Sequence, residues 1–157
     1  NVTVFDASGY AAAVSKDAPI VIAGNTKNQS ILGSKGTDSI YAATGNNTIT
    51  TGAGKDTLYF DGTGNVTLTD YTVGQDIIQL AAGMKISTAA QENETDVRFT
   101  FVGTDNKVAS STLYIQNAIK VNAKTKAETS QKITFATQAS ESVPYCNFAS
   151  LWRQRCI

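Results

Sequence analysis

The sequence predicts an all-β chain: a short parallel β-roll, flanked by N-terminal strands and a C-terminal antiparallel β cap. Three observations carry this expectation. A nine-residue beat runs from Ile22 to Leu58. The composition is rich in Thr, Ala, Ser, Asn and Gly with 41% apolar residues, which suits extended strands and tight turns better than long helices. Beyond the beat, short apolar–polar alternations are separated by Gly, Asp and Asn.

Residues 1–23 hold two strand-like runs, Val2-Thr3-Val4-Phe5 and Ile20-Val21-Ile22, with Asp, Ser, Gly and Pro between them. Then the beat takes over. Ile22, Ile31, Ile40, Ile49 and Leu58 are each nine apart, although Ile and Leu together make only 18 of 157 residues, so five consecutive hits mark an internal repeat. Ser30, Ser39, Thr48 and Thr57 precede the aliphatic residue. Gly36, Gly45 and Gly54 lie four before it, and Asp38, Asn47 and Asp56 two before. Nine residues are too few for a helix pair or a hairpin. They suffice for a turn plus a very short strand, and stacked units give a parallel coil whose aliphatic residues point inward. One unit makes half a coil, so residues two units apart stack and residues one unit apart lie on opposite sides.

After Leu58 the beat slips by one residue, and Asp61-Gly62-Thr63-Gly64 with Leu68 form one further degraded unit. "TLTDYTVGQDIIQLAAG" then reads as strand, turn, strand, with Gly74-Gln75 as the turn. "DVRFTFVG" and "STLYIQNAI" alternate around a "GTDN" turn and predict a hairpin. "QKITFAT" is a further strand, and "NAKTKAETSQ" offers at most a short turn of helix. The expected organisation is one domain over 1–139, with N-terminal strands at 1–23, roll repeats at 24–69 and the cap at 70–139. A Cys-containing tail occupies 140–157.

Several functions are excluded or disfavoured. Histidine is absent, which removes Ser-His-Asp and Cys-His catalysis and His-bearing zinc sites. Net charge is zero and only 17% of residues are charged, which argues against nucleic-acid binding. No apolar run approaches a membrane span, and no leader is visible. The chain opens on Asn, so a fragment or processed form is expected, as a monomer. "GAGKDT" at 52–57 has Asp where a phosphate loop requires Ser or Thr. Asp70 and Asp76 invite an acid–base reading, but turn and strand-end roles suit them better. The Asn-x-Ser/Thr triplets at Asn1, Asn28, Asn46, Asn65 and Asn93 follow from composition. Tyr41, Tyr59, Phe60 and Tyr71 are either an exposed aromatic platform or caps on the coil.

The units GSKGTDSIY and TGAGKDTLY resemble the GGxGxDx(aliphatic)x nonapeptide of repeats-in-toxin (RTX) proteins, matching at Gly33, Gly36, Asp38 and Ile40, and at Gly52, Gly54, Asp56 and Leu58. The middle unit AATGNNTIT keeps only Gly45 and Ile49. The flanks "VTVFDAS", "VIAGNTKNQSILG" and "LTDYTVGQDIIQL" resemble the capping segments of such proteins. The resemblance implies a non-catalytic, calcium-binding module of a bacterial protein secreted by the type I pathway. Its glycines adopt positive φ and turn carbonyls toward the ion. Asp38 and Asp56, two units apart, are the one stacked pair keeping both carboxylates. The resemblance therefore implies at most one good calcium site, drawn from Gly33, Lys35, Gly36 and Asp38 in one turn and Thr51, Ala53, Gly54 and Asp56 in the next. The alternative is a metal-free coil held by Asn, Thr and Ser, serving as an adhesin or partner-binding scaffold. On that view the tail presents Phe148, Leu151, Trp152 and Arg153 to a cell-surface partner from a loop closed by a Cys146–Cys156 disulfide. In both cases the protein is extracellular.

Overall fold

A computed structural model describes residues 3–9, 20–102, 111–121, 128–129, 132–137, 146–147 and 155–156. In chain order the strands begin with β1 (Thr3–Asp6), β2 (Ile20–Ala23), β3 (Gln29–Leu32), β4 (Asp38–Tyr41), β5 (Gly45–Thr50), β6 (Thr57–Phe60), β7 (Gly64–Leu68) and β8 (Ile77–Leu80). Next come β9 (Lys85–Gln91), β10 (Val97–Val102) and β11 (Ser111–Ile115). The shortest are β12 (Lys120–Val121), β13 (Glu128–Thr129), β14 (Lys132–Ile133), β15 (Phe135–Thr137), β16 (Cys146–Asn147) and β17 (Arg155–Cys156).

The first eight strands alternate between two parallel sheets. β1, β3, β5 and β7 are neighbours in one, and β2, β4, β6 and β8 in the other. Each nonapeptide is thus half a coil. Ile22, Ile40, Leu58 and Ile78 are successive cross-strand partners, as are Ile31, Ile49 and Leu68. Partners are offset by two nonapeptides through the regular units. The offset grows by one residue from Ile49 to Leu68 and by two from Leu58 to Ile78. The register is kept because each turn absorbs the insertion: a slip within a strand would swing the buried aliphatic residue to the outer face.

The two N-terminal strands do not stand apart from the roll. β1 and β2 form its first coil, with Phe5 opposite Ile31 and Ile22 opposite Ile40. The stretch expected as an antiparallel cap divides. β9, β10 and β11 form an antiparallel meander whose β11 joins β7 in parallel register. β8 and β15 continue the other parallel sheet, with Phe135 opposite Ile78. The hairpin of β10 and β11 is present, while residues 103–110 lie outside the described residues. Gly74 turns the chain at φ +79° between β7 and β8, and the Gln75 and Asp76 N–H groups donate to Thr72 O. Within "NAKTKAETSQ", Glu128–Thr129 is a strand paired with β12, and the rest is outside the described residues.

The core lies between the sheets. The aliphatic columns meet Phe60, Phe99, Phe101 and Phe135, all essentially inaccessible, with Phe60–Phe101 centroids at 5.1 Å and Phe99–Phe135 at 5.0 Å. Of the aromatic residues suspected as a platform, Phe60 belongs to this core. Tyr71 is buried, its hydroxyl oxygen accepting the Thr134 N–H at 3.0 Å. Only Tyr41 and Tyr59 stack on the outer face, with centroids 4.2 Å apart. In the tail, β16 pairs with β14 and with β17, placing Cys146 opposite Cys156 in the register. Phe148, Leu151, Trp152 and Arg153 lie outside the described residues. No helix among the described residues is long and apolar enough to cross a membrane.

Candidate metal centre

The turns that enter β4, β6 and β8 stack at one edge of the roll. Turn 33–38 lies against turn 51–56. The Gly33 N–H donates to Thr50 O at 2.8 Å, and the Ala53 N–H to Ser34 O at 3.2 Å. This contact requires glycine. A Cβ on Gly52 would lie 1.9 Å from Ser34 O and one on Gly54 2.4 Å from Gly36 O, and both residues have positive φ (+99° and +133°). Gly33 is needed for a different reason: its φ is not positive, but a Cβ there would sit 2.0 Å from Thr51 O.

Two of these turns, and the turn that enters β3, share one closing device, in which the polar residue entering the strand accepts the N–H four residues earlier. The Asn25 N–H donates to Gln29 Oε1 at 2.7 Å, Ser34 N–H to Asp38 Oδ2 at 2.6 Å, and Thr72 N–H to Asp76 Oδ2 at 2.7 Å. Ser34 adds its hydroxyl to Asp38 Oδ1 at 2.8 Å. Asn47 reverses the sense, its Nδ2 donating to Ala42 O at 2.9 Å and Thr44 O at 3.1 Å. The same residues tie adjacent coils together. Asp38 N–H donates to Asp56 Oδ1 at 2.8 Å, Asp56 N–H to Asp76 Oδ1 at 3.1 Å, and Gln29 N–H to Asn47 Oδ1 at 3.0 Å.

Turn 51–56 breaks the pattern. The Gly52 N–H, which by analogy would close on Asp56, donates instead to Asp70 Oδ2 at 2.8 Å. Asp70 Oδ1 accepts the Thr51 N–H at 2.8 Å. The Thr51 hydroxyl lies beside Asp56 but donates to Asp70 Oδ1 at 3.1 Å. Asp56 is fully buried, and its Oδ2 has no hydrogen-bond partner among the described residues. Burial, opposed by the Asp38 N–H and reinforced by the Asp76 and Asp38 charges, pushes the Asp56 carboxyl up to about 6. Burial also raises Asp76, with the Asp70 charge adding to it.

A desolvated carboxylate oxygen without a donor needs a proton or a cation. Carboxylates and backbone carbonyls of the stacked turns are the oxygen donors that a hard cation such as Ca2+ prefers. Among the described residues no three acidic, His or Cys side chains are close enough to hold one ion, so carbonyl ligands would be required. Of the residues expected from the sequence, the stacked turns bring together Gly33 with Thr51 and Gly36 with Gly54, and Asp38 with Asp56. Lys35, Ala53 and Gly54 lie exposed on the turns, and the Lys35 side chain has no part in the ladder. The expectation of a single pair keeping both carboxylates needs correction, because Asp76 stacks on Asp56 as Asp56 does on Asp38. The two-residue insertion hides it from a strict count of two nonapeptides. The signal was present: Gly74-x-Asp76-x-Ile78 repeats the spacing of Gly54-x-Asp56-x-Leu58. Asp70 and Asp76 therefore act in turns, one bridging to the preceding coil and the other closing its own.

Fold and edge together define a repeat module: stacked half-coils with polar, glycine-bearing turns at their margins. Comparison with protein families matches the RTX calcium-binding nonapeptide repeat at residues 23–58 and 32–66. The matched residues, 23–66, are less than a third of the 157 residues and coincide with the stacked half-coils. No curated protein matches the chain. Among solved structures, it resembles the solution structure of the AlgE6R3 subunit from the Azotobacter vinelandii mannuronan C5-epimerase. The two are 17% identical over 92% of this chain and 89% of that one, with a TM-score of 0.29. A likeness of that size carries no argument about function.

Proposed function

We propose that this module is the non-catalytic, calcium-dependent folding element of a bacterial protein exported by the type I route and completed outside the cell. The observation that carries the proposal is Asp56 Oδ2, buried and without a donor between stacked RTX turns. Asp56 and Asp38 would hold the ion, with carbonyl oxygens drawn from Gly33, Lys35, Gly36, Thr51, Ala53 and Gly54. When bound, calcium supplies positive charge that links the two turns. The chain's own residues supply the rest: glycines that let the turns touch, and aliphatic columns that hold them in register. Without the ion, carboxylate repulsion and glycine entropy favour a looser array, as export requires. External calcium offsets both by binding only the folded state.

The test is a calcium titration of the chelated chain, followed by circular dichroism and calorimetry. The expected result is a gain in β-structure or melting temperature, half complete at roughly 0.1–1 mM as for extracellular calcium modules. Asp38→Ala should weaken the response and Asp56→Ala should remove it. A wild-type signal unchanged up to about 10 mM calcium, far above that range, would leave the repeats as plain scaffold.

A further inference from the structure

We infer that Asp70, which lies outside the nonapeptide frame, is the positioning residue that opens the cation site. The inference rests on the calcium-binding reading above, but its observation is separate. Three turns close on their own carboxylate or amide oxygen through the N–H four residues earlier, and turn 51–56 is the one of the three carboxylate turns that does not. Asp70 is the cause. It takes the Gly52 N–H, the counterpart of the Ser34 N–H that closes on Asp38, and also the Thr51 N–H and hydroxyl. Both Asp38 oxygens accept from Ser34 of their own turn, while Asp56 Oδ2 is left as a buried acceptor with nothing to accept.

The two turns share the ending Gly-x-Asp-x-aliphatic but differ before it, where Gly52 stands in the place of Ser34 and brings no hydroxyl to Asp56. The partner of the Gly52 N–H is set by the next coil, where the Thr69-Asp70 segment arrives one residue late. Val66 stands opposite Asn47, so the amide pairing seen between Gln29 and Asn47 is not repeated there. Asp70 instead reaches back to the turn 51–52. A side chain that orients ligand groups from behind commonly governs metal affinity by about 10- to 100-fold.

The experiment is calcium calorimetry on the full chain, with thermal melting in chelator and in calcium, for wild type, Asp70→Ala and Asp70→Asn. On removal of the Asp70 carboxylate, the Gly52 N–H is free to close on Asp56 as its counterparts do. Calcium affinity should fall at least roughly tenfold, and the calcium-induced rise in melting temperature should shrink. Melting in chelator should fall less than melting in calcium. Asp70→Asn keeps one acceptor and should be intermediate; it also carries the test if the alanine variant fails to fold. Equal losses of melting temperature with and without calcium, at unchanged affinity, would make Asp70 merely structural and overturn the inference. Absence of calcium binding by the wild type would instead overturn the calcium reading itself.

Discussion

Asp56 and Asp96 are buried aspartates of this chain with opposite fates. Burial pushes the Asp96 carboxyl up, but donors from Tyr114, the Asn117 N–H, Asn93 and Thr95 outweigh it and hold the group at about 2. Asp56 lacks a donor for one oxygen and is held at about 6. A raised carboxyl pKa means that the folded state keeps a proton which the unfolded chain has released, so its contribution to stability declines as pH rises from about 4 through 6. In chelator, the melting temperature should therefore increase by roughly 2–5 °C between pH 7.5 and 5. Below about pH 4, loss of the Asp96 contribution should reverse the trend. In saturating calcium the increase from pH 7.5 to 5 should vanish, because the ion replaces the proton. Asp56→Asn should flatten the chelator profile in differential scanning calorimetry; an unchanged slope would place the titrating group elsewhere. The identity of Asp56 was legible from its place in the nonapeptide. Its missing donor was not, because that depends on Asp70, which belongs to a later turn of different length.

At the scale of the element, the turns decide the fold more than the strands do. The strands are short aliphatic-centred pieces that would pair in several registers, and stacked glycines hold the coils at their observed separation. Gly52→Ala should cost about 2–4 kcal/mol, from a left-handed backbone combined with a Cβ driven into Ser34 O. Urea denaturation in saturating calcium measures this; a change under about 0.5 kcal/mol would mean that the turn relaxes freely. The half-coil geometry was readable because Ile22, Ile40 and Leu58 keep strict spacing. The division of the strands from β8 to β15 among four sheets was not. Ile78 belongs to the column of Ile22, Ile40 and Leu58, but a longer turn displaces it from the count. β15 carries Phe where the column elsewhere has Ile or Leu, and it returns to that column after the whole meander. A period can reveal neighbours two repeat units away. It cannot reveal a partner as remote in sequence as Phe135 is from Ile78.

For the molecule as a whole, the tail is joined to the body through β14, and its two cysteines occupy opposed positions of β16 and β17. Directly opposed residues of an antiparallel pair have Cα atoms about 4.5–5.5 Å apart, within the span of a disulfide. Protein purified without reductant should therefore show no free thiol by alkylation and mass spectrometry, and gain two after reduction. Two free thiols in the oxidised sample would reject the bridge. The cysteine pairing was suggested by the sequence, which places both residues close together near the end of the chain. The docking of the tail on β14 was not, since strands of two residues leave no periodic trace.

The lateness of β15 has a consequence in time. The early coils zip between neighbours two repeat units apart, a separation that a growing or threading chain spans quickly. The sheet of β2, β4, β6 and β8 ends on a strand contributed only after the whole meander has been delivered, and closing so long a loop slows the final step. Until then β8 presents an unpaired ladder edge, and the Ile78 column stands uncovered by Phe135. A half-delivered chain is thus committed to its direction of growth while still unsealed. Whatever holds the first coils together has to do so before the last strand arrives.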